Sequence, residues 1–244
     1  VQDPTYLAEW LATSLFRDAG VPAALVTHAR AQLNGKDLGL YVVIEAMNKR
    51  FLKQHFSSAK GNLYETYVQD IDGPLDQDNG ESTDQADVRA LVQACAISDP
   101  AQRWKALGRV LDIGRFMSFA AMENLVGHWD GYTIHTNNYR LYHDPASDKM
   151  VFITHGLDWA FRRPNISIEA PLKSLVGRAV FQTDEGRRFY RERVSTLYTN
   201  VLRVPLITNR MEQGLLKLRS AGLTTAELKR VERTAASIRE RIVL

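Results

Sequence analysis

Hydrophobic spacing changes period twice in the first third of the chain. Between Thr5 and Asp18, Leu7, Trp10, Leu11 and Leu15 recur at helical spacing. Asp3-Pro4 before them reads as an N-cap with a first-turn proline, and Gly20 and Pro22 end the helix. Two strand-like runs follow, residues 24–33 and 38–45, joined through Asn34-Gly35, a strong hairpin signal. The second run is apolar on both faces, which predicts a central strand of a small sheet. A short amphipathic helix over 48–56 and a short strand within 61–65 come next, then an acidic loop over 70–85 rich in Asp, Gly and Asn.

Helical periodicity dominates the remainder. One helix starts near Thr83, another at Asp99-Pro100, and a third runs over 113–126 with Phe116, Phe119, Met122 and Leu125 on one side. A second hairpin interrupts them, with strands over 139–142 and 150–154 and a turn over 143–148. After a loop beyond Asn165, helices are predicted over 184–203, 206–219 and 223–242, the last charged enough to read as a solvated outer helix. The expected class is α+β, a small β-rich part followed by a larger helical one.

Composition narrows the function classes. The 244 residues suffice for one large domain or two small lobes, and a formal charge of +3 is mild. Basic residues are interspersed with acidic ones and no aromatic stacking motif accompanies them, which argues against nucleic-acid binding. No apolar run is long enough to span a membrane. Val1-Gln2-Asp3-Pro4 carries neither an initiator Met nor a signal-peptide pattern, so the chain reads as a piece of a longer protein. The single cysteine, Cys95, lies in an apolar helical pattern and reads as a small buried hydrophobe.

The candidate chemistry is concentrated around the second hairpin. Asp130 lies shortly before its first strand, Asp158 shortly after its second, and Asn137-Asn138 at the start of the first. An antiparallel pair returns to the level at which it began, so these residues are expected to meet at one end of it. Two carboxylates beside an amide oxygen supply the hard ligands that Mg²⁺ prefers, with positions left for phosphates and water. Asp130 before Gly131 also fits a turn, and Asp158 also fits a cap. His128, His135, His143 and His155 gather nearby and raise zinc as an alternative, but their intervals of seven, eight and twelve match no recurrent ligand spacing.

At these residues the sequence resembles the CotH kinase family. The likeness is carried by His128-Trp-Asp-Gly-Tyr132, Asn137-Asn-Tyr139, Leu141-Tyr-His-Asp-Pro145 and Gly156-Leu-Asp-Trp-Ala-Phe161. Gly39-Leu-Tyr-Val-Val-Ile-Glu45, Gly61-Asn-Leu-Tyr64 and Phe16-Arg-Asp-Ala-Gly-Val-Pro22 agree with it. The family, typified by bacterial spore coat proteins, consists of divergent kinase-fold proteins that also occur on cell surfaces. The resemblance implies a bilobal kinase-like fold. Residues 1–48 would be a partial N-lobe with a hinge at 45–48, and residues 49–244 a helical C-lobe with its catalytic hairpin at about 128–161. It implies Asp130 as the catalytic base, Asn137, Asn138 and Asp158 as metal ligands, and Glu9, Glu45 and Met47 as nucleotide contacts.

ATP with Mg²⁺ (or Mn²⁺) would be the cofactor pair, a protein Ser or Thr the acceptor, and an extracellular or envelope site the location. A glycine-rich phosphate loop is missing from the sequence, and His135 stands where many relatives carry Asn. A catalytically inactive surface or coat assembly module on the same fold is the alternative, and a metal-dependent phosphohydrolase using the same acidic pair is a third reading.

Overall fold

The computed structural model describes residues 3, 5–163, 165–169 and 172–243. The first helix, α1, spans Ala8–Asp18 and starts three residues later than the periodicity suggests, because Tyr6 takes a left-handed backbone with φ 57°. Asp3 and Thr5 supply the capping in its place. Asp3 Oδ2 accepts from the Glu9 amide at 3.1 Å, and Thr5 Oγ1 accepts from Leu7 and Ala8 at 3.3 and 3.1 Å. The proline expected in the first turn, Pro4, lies outside the described residues.

Strands β1 (Val26–Leu33) and β2 (Lys36–Ile44) form the expected hairpin, turning at Asn34 and Gly35 with φ 50° and 81°. The expectation that β2 is central is overturned. The hairpin is a separate two-stranded sheet, and of β2 only Val42 is buried while Leu38, Val43 and Ile44 are exposed. The run is apolar on both faces, but only one side meets the body of the protein, through Val42.

Helix α2 (Lys49–His55), capped by Asn48, leads to β3 (Leu63–Glu65) and β4 (Asp76–Asn79). β4 lies inside the segment expected to be an acidic loop. Asp78 in it receives Arg140 at 2.6 Å, so its charge is matched rather than solvated alone. Helices α3 (Ala86–Ala96), α4 (Pro100–Val110) and α5 (Ile113–Leu125) follow; Asp99 and Asp112 cap the last two, accepting amides at 2.7 and 3.0 Å.

A four-residue helix, α6 (Tyr132–His135), precedes the central hairpin of β5 (Tyr139–Asp144) and β6 (Lys149–Thr154). The four strands form one antiparallel sheet in the order β4-β3-β5-β6, with Tyr139 opposite Thr154 and Asp144 opposite Lys149. Both faces of β5 and β6 are covered. Tyr139, Leu141, Met150 and Phe152 join the main core, where Phe152 meets Phe116 and Phe119 of α5 at 5.0 and 5.5 Å between ring centres. Tyr142, Val151 and Ile153 face the other way, into a second core with Phe51, Leu52 and Phe56 of α2. This double burial makes the sheet a rigid platform for the loops at its end.

The C-terminal part consists of α7 (Leu175–Phe181), α8 (Asp184–Asn200), α9 (Val204–Ser220) and α10 (Thr225–Val243). α7 falls where the sequence suggests only loop. α10 is not a wholly solvated helix either, since Val231, Ala235, Ile238 and Ile242 bury one stripe and Arg241 reaches the carbonyls of Asn124, Leu125 and Ile166. Among the described residues no helix is long and apolar enough to cross a membrane, and Cys95 is buried and free, its thiol pushed up to about 12 by burial.

Candidate active site

The loops at one end of the central hairpin enclose a cleft of about 540 Å³, within the size range of small-molecule sites. Asp130, Asn137, Asn138 and Asp158 all line it, as the antiparallel geometry requires, and so do Asp3 and Glu9 from the start of the chain. Glu9 arrives there because α1 packs on the single 3₁₀ turn Leu157–Trp159 that carries Asp158.

Asn138 joins the two halves of the site. Its Nδ2 donates to the backbone oxygen of Asp130 at 2.9 Å and to Asp130 Oδ2 at 3.0 Å. The amide donor is thereby engaged on Asp130, which leaves Oδ1 as the atom available to a cation. That oxygen lies beside Gly156, where an added Cβ would stand 2.4 Å from it. Gly156 has φ 59° and Asn138 φ 55°, so the close approach uses two left-handed residues, one of them glycine. The backbone tie between the segments is His155 N–H to Asn138 O at 3.2 Å.

Beneath the loop sits Glu123 of α5, fully buried. Its Oε1 accepts from Tyr132 N at 2.9 Å, and its Oε2 accepts from Thr133 N at 2.8 Å and Thr133 Oγ1 at 2.6 Å. His128, also fully buried, places Nδ1 3.7 Å from Glu123 and Nε2 3.1 Å from the carbonyl of Gly156. Glu123 and His128 thus tie α5 to the Asp130 loop and to the Asp158 turn. Asp70 adds a strut from the acidic segment, accepting from Tyr132 Oη at 2.9 Å and Leu175 N at 2.6 Å.

The cleft is electrostatically unsatisfied. Burial pushes the Glu9 carboxyl up to about 7, and the neighbouring Asp158 adds to the shift. Burial also raises Asp158, with Asp3 contributing. Asp3 thus raises both neighbours and Asp158 raises Glu9, and such a gathering of carboxylates marks a place where a cation would be stabilised. Asp158 and the free Asn138 oxygen are hard donors suited to Mg²⁺, with phosphate and water oxygens completing a shell. Among the described residues no three His, Cys, Asp or Glu side chains converge on a metal position. The four histidines are dispersed. His135 stands edge-on to Trp129, His143 lies between Asp87 and Asp148, and the half-buried His155 is lowered to about 4 by desolvation.

Glu45 and Met47 lie outside the Asp130 cleft, in an adjoining hollow of about 360 Å³ that shares Ile44 and His155 with it. Glu45 Oε2 accepts from Leu25 N at 3.1 Å, and Met47 packs against the second core. Glu65 lines the main cleft but is held by Arg140 at 2.5 Å. The sequence reading missed Asp3, Glu123 and Asp70. Glu123 had a legible signal, an acidic residue among Phe116, Phe119 and Met122 on a helix otherwise rich in apolar residues.

Comparison with known proteins follows the same lines. The family model described as CotH kinase protein matches residues 1–243. The chain is similar to a Spore coat protein homolog 1 of the fungus Rhizopus delemar, 25% identical over 181 residues, covering 66% of this chain and 29% of the relative. It is also similar to Invasin CotH2 of the same fungus, 24% identical over 193 residues, covering 70% and 32%. The chain therefore spans about a third of the length of these curated relatives.

Proposed function

Since this chain belongs to the CotH kinase protein family, we propose that it is an ATP- and Mg²⁺-dependent phosphotransferase acting on Ser or Thr hydroxyls of a partner protein. The observation that carries this reading is the convergence of Asp130, Asn138 and Asp158 on one cleft, with Asn138 bonded to Asp130 and its oxygen left free. Asp130 accepts the proton of the attacking hydroxyl as its oxygen bonds to the γ-phosphorus and the bond to the β–γ bridging oxygen breaks. Asp158 and Asn138, with Asn137 alongside, would hold the divalent cation, which when bound neutralises charge on the phosphates.

Glu9, at the helix face of the cleft, is the partner for a cation reaching the α- and β-phosphates. Glu45 and Met47, in the adjoining hollow, are placed to receive the adenine. On this reading residues 1–48 are the N-lobe part and 49–244 the C-lobe of a kinase-like bilobal fold. The relatives' names, a spore coat protein and an invasin, support an extracellular or envelope location.

The test is transfer of radiolabelled γ-phosphate to an acceptor protein. Replacing a positioned general base removes about 10²–10⁴-fold of rate. Asp130→Ala is accordingly expected to lose at least about a hundredfold in kcat with its fold intact. Unchanged transfer would remove Asp130 from the chemistry. Phosphate release without transfer would point to the phosphohydrolase reading.

A further inference from the structure

Beside Asp130 and Asp158 stand two tryptophans whose arrangement the phosphotransfer chemistry does not require. Trp129 and Trp159 stack with ring centres 5.1 Å apart and planes 28° from parallel, and Trp159 also lines the cleft. Each carries an arginine. The Arg163 guanidinium lies 4.0 Å from the Trp129 ring centre, and that of Arg162 lies 4.8 Å from Trp159.

Both arginines are exposed, and among the described residues neither side chain has a salt bridge or hydrogen bond to a carboxylate. Stacking fixes a guanidinium plane and leaves its N–H edge outward, so the order needed to grip an anion is present before the anion arrives. Arg162 also acts on Asp158, where its charge opposes the raised carboxyl. Trp159 thus links two exposed cations, just outside the cleft, to a lining that is anionic with Asp3, Glu9, Asp130 and Asp158.

We propose that this Trp–Arg shelf is the docking rim for the acceptor, and that it selects polypeptides carrying carboxylate or phosphate side chains next to the hydroxyl to be modified. The proposal rests on the phosphotransfer reading for the name acceptor, but the binding itself does not. A planar guanidinium held on a ring face offers a bidentate fork that recognises carboxylate and phosphate better than a mobile lysine does. An acidic segment on the rim would also be kept out of the anionic floor by repulsion, leaving the neutral hydroxyl as the group that enters. The same cationic edge could instead meet the phosphates of the nucleotide, and the experiment separates these two sources.

The probe is a fluorescein-labelled, Glu-rich decapeptide with Ala in place of an acceptor Ser, compared with its Gln-for-Glu counterpart. Binding is read by anisotropy without nucleotide, and nucleotide binding is measured separately by calorimetry. Exposed ion pairs are individually weak, so Arg162→Gln with Arg163→Gln is expected to weaken the acidic peptide by about tenfold. It should leave nucleotide affinity within twofold and hardly touch the neutral peptide. Arg162→Lys with Arg163→Lys keeps the charge without the stacked fork and should fall between the two.

Equal binding of acidic and neutral peptides by the parent protein would overturn the proposal, as would full retention of acidic-peptide affinity in the Gln variant. Loss of nucleotide rather than peptide affinity would also overturn it, reassigning the shelf to the phosphates. Because no turnover is read, failure of the phosphotransfer reading leaves these outcomes interpretable.

Discussion

Glu123→Gln is the perturbation that most sharply probes how the site is held. The carboxylate lies fully buried and takes three donors, Tyr132 N, Thr133 N and Thr133 Oγ1, between 2.6 and 2.9 Å. Glutamine has nearly the same shape but only one acceptor oxygen. If that oxygen keeps the two Thr133 bonds, the amide NH₂ is turned toward the Tyr132 N–H, donor against donor. The opposite orientation sets the amide NH₂ against the Thr133 N–H and loses that bond, while the Thr133 hydroxyl must turn round from donor to acceptor.

A hydrogen bond to a charged group contributes about 1.5–3 kcal/mol. The loss of at least one, with weakening of the others, is partly offset because a neutral amide is easier to bury than a carboxylate. The net cost expected is about 2–3 kcal/mol, a large share of a typical domain's stability of about 5–15 kcal/mol. For a chain of this size that corresponds to a fall in Tm of roughly 5–10 °C. Urea unfolding followed by circular dichroism and tryptophan fluorescence measures it. A change below about 0.5 kcal/mol would refute the reasoning, because it would mean that the Asp130 loop does not depend on this carboxylate.

Two further outcomes follow from the cleft. Gly156→Ala forces a Cβ to within 2.4 Å of Asn138 Oδ1 at φ 59°, so about 1–2 kcal/mol of backbone strain is joined by displacement of the Asn138 amide. Mg²⁺-dependent nucleotide binding should then fall by more than the stability loss explains, and calorimetry at a temperature where the variant is folded checks this. Glu9 titrates at about 7 in the folded protein against an ordinary 4.5, so the folded state holds its proton more tightly than the unfolded one. Its contribution is fully present below about pH 4.5 and is lost as pH rises through about 7, a fall of up to about 3 kcal/mol. Lowered His155 has the opposite sign, adding stability as pH rises toward about 6.5, so the readout is the difference between parent and Glu9→Gln in urea titrations of metal-free protein across pH 5–8. The parent should lose stability relative to the variant as pH rises toward 7, and a pH profile identical in the two would exclude the Glu9 contribution.

What could be read from the sequence follows from locality. The Asn34-Gly35 turn, the helix start at Asp99-Pro100 and the hairpin of β5 and β6 are set by neighbouring residues, and they stand close to where the pattern puts them. Placement of Asp130, Asn137, Asn138 and Asp158 in one cleft followed from strand geometry alone. Other features depend on distant partners. β4 forms where an acidic segment meets Arg140, and β2 is exposed because little covers its second face. α10 buries Arg241 against carbonyls far away in sequence. Asp3 reads locally as a cap, and only folding reveals that it also lines the cleft. Glu45 and Met47 sit in the neighbouring hollow because the chain leaves β2 at Ile44 before α2 begins.

The measurement that bears most directly on the central claim is calorimetric titration of ATP into the protein with and without Mg²⁺, alongside Asp158→Ala. The account predicts saturable binding that requires Mg²⁺ and is lost in the variant, since Asp158 supplies the carboxylate that would hold the cation against the phosphates. Binding that is indifferent to Mg²⁺, or that survives Asp158→Ala unchanged, would contradict it.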